Sequence, residues 1–276
     1  MMFYQDRFVA KEEVHLSPDD RGYYFGDGVY EVFRIYGGSI FEKEAHLRRL
    51  ERSAREVRID LPYSIQEIDD IIRKLILTEG TVDGTLYLQI TRGAAPRAHP
   101  FPADAKPILL AYCTEVSRPI STITSGIRVI TYEDIRWLRC DIKTLNLLPN
   151  VLAKQTALDR GAAEVILHRG DLVTECSASN LMMVKDGVLY THPANHLILH
   201  GVTRAVVLRL AKAAGIAVEE TPFTTQALGE ADEVFITGTT VEITPVIEID
   251  GKPVASGQPG RITRRLQTSF DKAILG

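Results

Sequence analysis

The chain has 276 residues, of which 45% are hydrophobic and 25% charged, a balance typical of a folded globular protein. Its formal net charge of −4 argues against a general nucleic-acid binder, which needs excess positive charge to contact phosphates. Residues 1–10 lack the apolar core of a signal peptide, and no apolar run approaches the length of a membrane span, so we expect a cytoplasmic protein with no membrane partner.

The first part of the chain predicts a small α/β domain over residues 1–118. Apolar residues at helical spacing predict two amphipathic helices, and β-branched and aromatic runs predict the strands. The glycines at 22, 26 and 28 lack the following lysine of a phosphate loop, so tight turns are expected there. The predicted elements are an edge strand over 3–10, a strand in the second half of 21–36 with a hairpin at 37–38, helices over 44–58 and 64–79, and strands over 84–92 and 107–115.

A stiff loop, residues 92–102, lies between the last two of these strands and contains three prolines. We call it the proline loop. Prolines restrict the backbone and hold such a loop in place, which matters if the loop presents side chains to a ligand. Arg97 and His99 are its candidate ligand-binding residues.

Residues 119–126 are the best candidate for a linker, and a larger domain is expected over 127–276. Periodicity and turn signals predict its elements as they did those of the first domain. These are strands over 127–133, 163–168, 234–237 and 242–249, hairpin turns at 169–171 and 185–187, and helices over 149–159, 202–214 and 261–275.

Lys143 lies between apolar residues, Ile142 and Leu145, which indicates that it is partly buried. Burial disfavours the ammonium form, lowers the lysine pKa and leaves an amine able to attack a carbonyl, as in a Schiff-base lysine. The alternative is a lysine whose stem packs while its head stays in solvent, and the local sequence alone favours it because buried charges are rare.

Two segments could bind a phosphate. Residues 201–204 open a helix with Thr203 in its first turn, and residues 237–240 offer hydroxyls after a short strand. Capping or turn chemistry explains either segment alone. Together with an activated lysine they suggest one ligand that carries both a phosphate and a carbonyl, such as pyridoxal phosphate.

Glu175 lies at a predicted strand end, where it is either exposed or placed against a ligand. A carboxylate beside a pyridine nitrogen would keep that nitrogen protonated.

Three histidines follow at spacings of four, at 192, 196 and 200. Pro193 interrupts the helix that would bring them to one face, so no metal site is expected.

Six motifs in order carry a resemblance to a known family. They are Tyr23-x-Phe25-Gly26-Asp27-Gly28-Val29-Tyr30-Glu31, His46-Leu47-x-Arg49-Leu50, the Lys143 segment, Thr174-Glu175-x-Ser177-x-Ser179-Asn180, Gly201-x-Thr203-Arg204 and Glu242-Ile243-Thr244-Pro245-Val246. From about residue 3 to residue 270 the chain resembles the fold-type IV pyridoxal-phosphate enzymes, and among them the D-amino acid (D-alanine) aminotransferases. The resemblance reverses the preference for a merely packed Lys143.

The resemblance implies a role for individual residues. Lys143 would form the Schiff base and carry the proton, and Glu175 would partner the pyridine nitrogen. The other implied cofactor contacts are Arg49, Thr203 and Thr239 to the phosphate, backbone amides near Val202, and Leu199 against the ring. Tyr30, Arg97 and His99 would bind the substrate carboxylate.

The resemblance also implies a two-domain α/β fold (α+β by some schemes) with the cofactor in the interdomain cleft. The expected reaction is ping-pong transfer of an amino group from a D-amino acid, such as D-alanine, to a 2-oxo acid, such as 2-oxoglutarate or pyruvate. A homodimer with active sites shared between subunits is expected. The alternatives are a branched-chain aminotransferase or an aminodeoxychorismate lyase on the same fold, and a non-catalytic phosphate-ligand binding protein.

Overall fold

The computed structural model describes residues 1–275, which form two compact units. The first unit contains residues 1–117 and also residues 142–147, which we call the lysine segment. The second unit contains residues 118–141 and continues from Leu148. Each unit combines helices with a sheet, as an α/β fold requires. Within the described residues, no helix has both the length and the apolar character that a membrane crossing needs.

The first unit has a six-stranded sheet in the order β2-β1-β6-β5-β3-β4, in which all neighbours are antiparallel. Its elements are β1 (Met2–Tyr4), β2 (Arg7–Val9), α1 (Arg21–Phe25), β3 (Gly28–Tyr36), β4 (Ser39–Ile40), α2 (Lys43–Glu56), α3 (Ile65–Glu79), β5 (Gly84–Thr91) and β6 (Ile108–Glu115). A 3₁₀ helix covers Lys11–Glu13.

The two faces of β3 differ because side chains alternate along a strand. Phe33 and Ile35 are fully buried and pack in one cluster with Leu50 of α2 and Ile72 of α3, so both helices cover this face of the sheet. Tyr30, Val32, Arg34 and Tyr36 therefore project from the other face. The face of β3 that carries Tyr30 is therefore not covered by α2 and α3.

The lysine segment pairs with one edge of β3. The Tyr30 amide donates to the Lys143 carbonyl at 3.0 Å, and the Leu145 amide donates to the Gly28 carbonyl at 3.1 Å. β4 pairs with the other end of the same edge, where Ile35 faces Ile40. A Cβ at Gly28 would lie 2.7 Å from both Leu145 Cδ1 and the Ile90 carbonyl oxygen, so the close approach requires glycine.

The second unit has a nine-stranded sheet in the order β12-β11-β10-β13-β14-β7-β8-β9, with β15 paired to β14. Its helices are α4 (Ile120–Ser125), α5 (Leu148–Asp159), α6 (Val202–Ala213), α7 (Thr225–Gly229) and α8 (Arg261–Leu275). Its strands are β7 (Ile127–Glu133), β8 (Glu164–Arg169), β9 (Leu172–Cys176), β10 (Asn180–Lys185), β11 (Val188–Tyr190), β12 (Val218–Glu219), β13 (Glu233–Gly238), β14 (Glu242–Ile249) and β15 (Lys252–Pro253).

The five predicted helices are confirmed to within two residues at each end, as are the predicted strands outside the N-terminal segment. Two local predictions are wrong. The single edge strand over 3–10 is a hairpin of β1 and β2, turned at Gln5, whose φ is 58°. The tight turns expected at Gly22, Gly26 and Gly28 are also wrong: residues 21–25 form the short helix α1, and Gly28 begins β3. Asp20 caps α1 by accepting from the Gly22 amide, and Gly26 ends the helix with a φ of 63°. Residues 119–126, predicted as a linker, include helix α4, and the division into domains there stays a prediction.

Candidate active site

The Lys143 side chain is half-buried, as its apolar flanks predict, and Ile142 beside it is buried. The Nζ atom lies 4.2 Å from the centroid of the Tyr30 ring. Within residues 1–275, Lys143 forms no ion pair with a carboxylate. The backbone amide of Lys143 donates to Ser53 Oγ of α2 at 3.2 Å. The amine is thus held at a defined place on the Tyr30 face of β3 without a counter-ion.

Arg49 of α2 is buried and held by Glu31 of β3, on the opposite face from Tyr30. Its Nε donates to Glu31 Oε1 at 2.7 Å and its Nη2 donates to Oε2 at 2.8 Å. Burial alone would raise the pKa of Glu31, but Arg49 and the His46 ring, 2.9 Å away, hold it well below its ordinary value. Burial also lowers the pKa of His46. Glu31 is therefore ionised and fixes the guanidinium of Arg49.

The proline loop is anchored by the buried side chain of Arg21. Its Nη1 donates to the carbonyls of Ala98 and Pro100, and its Nη2 donates to the carbonyl of His99 at 3.3 Å. Its Nε donates to Asp27 Oδ2 at 2.7 Å, which fixes the guanidinium itself. Sequence reasoning missed this anchor, because an arginine that binds backbone carbonyls leaves no motif.

Arg97 and His99 lie together on the exposed side of the proline loop. The Arg97 guanidinium lies 5.1 Å from the centroid of the Phe25 ring, and the His99 ring packs edge-on against the same ring at 5.6 Å. Within the described part of the chain, neither residue forms a hydrogen bond or ion pair with Tyr30 or Lys143. The structure therefore brings Tyr30 to Lys143 but leaves the other two carboxylate candidates facing solvent.

Glu175, at the end of β9, is buried and surrounded by donors. Arg136 Nη1 donates to its Oε1 at 2.6 Å, Asn180 Nδ2 donates to Oε2 at 2.8 Å, and the Leu199 amide lies 3.1 Å from both oxygens. Burial raises the pKa of Glu175, while the Arg136 guanidinium and the Leu199 amide favour the carboxylate. Of the two alternatives for this strand end, the structure excludes an exposed Glu175, because the carboxylate is buried among hydrogen-bond donors.

Arg136 is the residue that sequence reasoning missed at Glu175. It is itself fixed by the buried Asp134, which accepts from its Nε and Nη2 at 2.9 Å each. Asp134 also accepts from Thr174 Oγ1 at 3.0 Å and from Arg169 Nε at 3.1 Å. Arg136 stands seven positions before Lys143 in the sequence, but no spacing rule links it to Glu175, and only the fold joins them.

A second group of candidates surrounds the N-terminus of α6. Val202 and Thr203 are buried, and Gly201 lies so close to Asn180 that a Cβ there would be 1.9 Å from Asn180 Oδ1. Thr237 of β13 pairs with the same Asn180. The buried hydroxyls of Thr237 and Ser179 have no hydrogen-bond partner among the residues described. Such orphaned donors beside free helix amides fit an anionic group.

The two remaining candidates in the second unit, Leu199 and Thr239, each lie two positions in sequence from a residue of this group, Gly201 and Thr237 respectively. Thr239 is half-buried in the turn after β13, and Leu199 is half-buried two residues before Gly201. The Leu199 amide already contacts Glu175, so backbone geometry joins Leu199 to that carboxylate. The predicted roles of both side chains stay predictions.

Comparison with known proteins identifies the family. Residues 28–249 match the model of the amino-transferase class IV family, so the chain belongs to that family. It is 48% identical to a D-alanine aminotransferase of Staphylococcus epidermidis over 99% of this chain and 97% of the relative. It is 49% identical to a D-alanine aminotransferase of Listeria monocytogenes over 98% and 94%.

The fold is also that of a solved structure. The branched-chain amino acid aminotransferase of Escherichia coli superposes with a TM-score of 0.93 at 27% identity, over 98% of this chain and 93% of the other. The predicted fold-type IV architecture is thereby confirmed.

We expect Glu31→Gln to lower the free energy of unfolding by about 3 kcal/mol at pH 7, because it leaves the buried Arg49 charge without its counter-ion. The pKa of Glu31 in the folded chain lies below the ordinary value of 4.5. As the pH falls, Glu31 therefore binds a proton in the unfolded chain before it does so in the folded chain, and acid favours unfolding. The gap between wild type and variant should therefore be complete near neutral pH and shrink below pH 4.5.

Denaturant unfolding from pH 7 to pH 3 measures this gap. Glu44→Gln, the same change on an exposed glutamate of α2, is the control and should alter stability by less than about 0.5 kcal/mol. Equal effects of the two variants, or a gap that widens on acidification, would contradict the assignment of Glu31 as the ionised partner of Arg49.

Proposed function

We propose that this chain is a pyridoxal-phosphate-dependent D-amino acid aminotransferase. It transfers the amino group of a D-amino acid, with D-alanine as the natural donor, to a 2-oxo acid such as 2-oxoglutarate or pyruvate, in a ping-pong reaction. The observation that carries the proposal is the Lys143 amine, which lies over the Tyr30 ring without a carboxylate partner in the described chain. The names of relatives at 48% and 49% identity over nearly the whole chain support the D-amino acid substrate class.

The residues present fit the cofactor. The orphaned hydroxyls of Ser179 and Thr237 beside the N-terminus of α6 suit its phosphate, and Glu175 suits its pyridine nitrogen. We assign the phosphate to Arg49, Thr203 and Thr239 with the amide of Val202. When bound, pyridoxal phosphate acts as the electron sink that makes the proton at Cα removable.

Lys143 is the residue proposed to link to the cofactor and to carry the proton to and from Cα. An amine without a paired carboxylate can serve both purposes, since no ion pair has to break first. Glu175 would keep the pyridine nitrogen protonated, and Arg136 would keep Glu175 in place. The Leu199 side chain would pack against the ring. In this assignment, Arg136 is a positioning residue.

Tyr30, Arg97 and His99 are proposed to bind the carboxylate on the substrate Cα. Arg97 and His99 are exposed on the anchored proline loop, a placement suited to completing the site of a second subunit. We therefore propose a homodimer in which each active site takes Lys143 from one chain and Arg97 from the other. Charge-assisted bonds would then fix which face of Cα meets Lys143. We place the enzyme in the cytoplasm.

Two activities on the same fold are alternatives: a branched-chain aminotransferase and an aminodeoxychorismate lyase. The fold similarity to a branched-chain aminotransferase comes at 27% identity, well below that of the D-alanine aminotransferases. A non-catalytic phosphate-ligand binding protein is the remaining alternative. The preferred enantiomer of the amino donor, and whether activity depends on Lys143, distinguish the proposed function from these three alternatives.

Transamination with paired D and L enantiomers tests the function. We expect D-alanine to exceed L-alanine, and D-leucine to exceed L-leucine, by at least about a hundredfold in kcat/KM, because a fixed carboxylate presents only one face of Cα to Lys143. Lys143→Ala should lose at least about a thousandfold of this activity, since linkage and proton transfer are lost together.

Lys74→Ala is the matched control, because Lys74 Nζ also lies over an aromatic ring, that of Phe8, at 4.3 Å. Its kcat/KM should stay within about twofold of wild type, as for other surface changes. A preference for L-leucine would favour the branched-chain alternative, and a Lys143→Ala variant as active as Lys74→Ala would refute the proposal.

Mixed dimers test whether the site is shared between subunits. A Lys143→Ala chain and an Arg97→Ala chain, each weak as a homodimer, are co-expressed with different tags. Random mixing makes about half of the dimers mixed, each with one whole site of two, so the unfractionated pool should reach roughly a quarter of wild-type activity. A purified mixed dimer no more active than its parents would show that both residues act within one chain.

A further inference from the structure

Arg34 is a buried arginine that the proposed reaction leaves without a role. Its side chain is 2% exposed, and its Nε, Nη1 and Nη2 atoms have no hydrogen-bond partner anywhere in residues 1–275. Its contact is with an aromatic ring, that of Tyr36, whose centroid lies 5.2 Å from the guanidinium carbon. A ring face attracts the cation but accepts none of its hydrogen bonds in the way a carboxylate does.

The other buried arginines of the first unit are all paired. Arg21 and Arg92 both donate to Asp27, and Arg49 donates to Glu31, at 2.7 to 2.9 Å. An arginine cannot shed its proton to escape the cost of burial, so an unpaired one destabilises the fold. A guanidinium kept in this state is suited to an anion that comes from outside the described chain.

The position of Arg34 on β3 indicates which kind of anion its guanidinium would bind. It projects from the same face of β3 as Tyr30, over whose ring the Lys143 amine lies. Arg34 lies four positions after Tyr30 on the strand, which separates their Cα atoms by about 13 Å. The long arginine side chain can shorten that gap toward the amine. The α2 and α3 helices cover the opposite face, so Arg34 is not part of their apolar core.

We propose that Arg34 binds the second carboxylate of dicarboxylic substrates. The ligand class is a 2-oxo acid with a terminal carboxylate, together with the D-amino acid formed from it. This inference rests on the proposed function, because it places the amine end of the substrate at Lys143. A terminal carboxylate completes the hydrogen bonds of Arg34, whereas a short apolar side chain leaves the guanidinium unpaired, so the residue selects for acidic substrates.

The test compares Arg34→Met, Arg34→Lys and the control Arg48→Met, which changes an exposed arginine of α2. The first readout is the ratio of kcat/KM for 2-oxoglutarate to that for pyruvate, with D-alanine and D-aspartate as respective donors. We expect Arg34→Met to lower this ratio at least about thirtyfold, as loss of a charge-assisted pair predicts. Arg34→Lys should lower it less, and Arg48→Met should leave it within about twofold.

The second readout does not depend on turnover. Glutarate and butyrate, which lack the oxo and amino groups, are titrated against the pyridoxal-phosphate form of the enzyme and followed by cofactor absorbance. The affinity ratio of glutarate to butyrate should fall in Arg34→Met by about the same factor as the kinetic ratio. Thermal unfolding should show an equal or higher midpoint for Arg34→Met, because an apolar side chain replaces a buried unpaired charge.

Several results would overturn the inference. These are unchanged substrate and affinity ratios, an equal loss for both acids, a weakened affinity for pyridoxal phosphate, or a dimer that dissociates in Arg34→Met because the arginine pairs with a second copy. Arg34→Lys is also informative. If it lowers the thermal unfolding midpoint but leaves the kinetic ratio and the affinity ratio unchanged, Arg34 has a structural role only. Failure of the wild type to transaminate D-amino acids would defeat the proposed function instead, and the glutarate titration would still report on Arg34.

Discussion

The candidate site depends on one stretch of backbone pairing, between the lysine segment and the edge of β3. Two hydrogen bonds, from the Tyr30 amide to Lys143 and from the Leu145 amide to Gly28, join residues more than 110 positions apart in sequence. Backbone pairing fixes which side chains share a face, and a shift of one residue would turn Lys143 away from Tyr30. The glycine at 28 is required because the two chains approach too closely there for a Cβ.

In each unit, candidate-site charges are already paired by residues of the same unit. Glu31 holds Arg49, and Arg136 holds Glu175, each through hydrogen bonds of 2.6 to 2.8 Å. Side chains fixed in this way need not reorganise when a ligand binds, which favours catalysis by preorganised electrostatics. Arg34 differs because its charge is buried without a counter-ion in the described chain. The charges of Arg49 and Glu175 are thus paired within the fold, whereas the charge of Arg34 would be paired by a bound ligand.

Much of the architecture could be predicted from periodicity, since long helices and strands such as α3 and β5 carry their patterns locally. Short α1 could not, because five residues give no period and its cap, Asp20, resembles a turn residue. The half-burial of Lys143 followed from its flanks, but the contacts of Arg136 with Glu175 and of Arg21 with the proline loop arise only from tertiary pairing. The unpaired state of Arg34 could not be predicted, because alternation places it on a half-exposed strand face.

The central claim is that the Lys143 amine, among all lysines of the chain, is the one that reacts with a carbonyl. The direct measurement is borohydride reduction of the enzyme with bound pyridoxal phosphate, followed by digestion and peptide mass mapping. We expect a phosphopyridoxyl mass increment on the peptide that contains Lys143 and none on the peptide that contains Lys74, which has a similar ring contact. An increment on any other lysine, or none on Lys143, would contradict the claim.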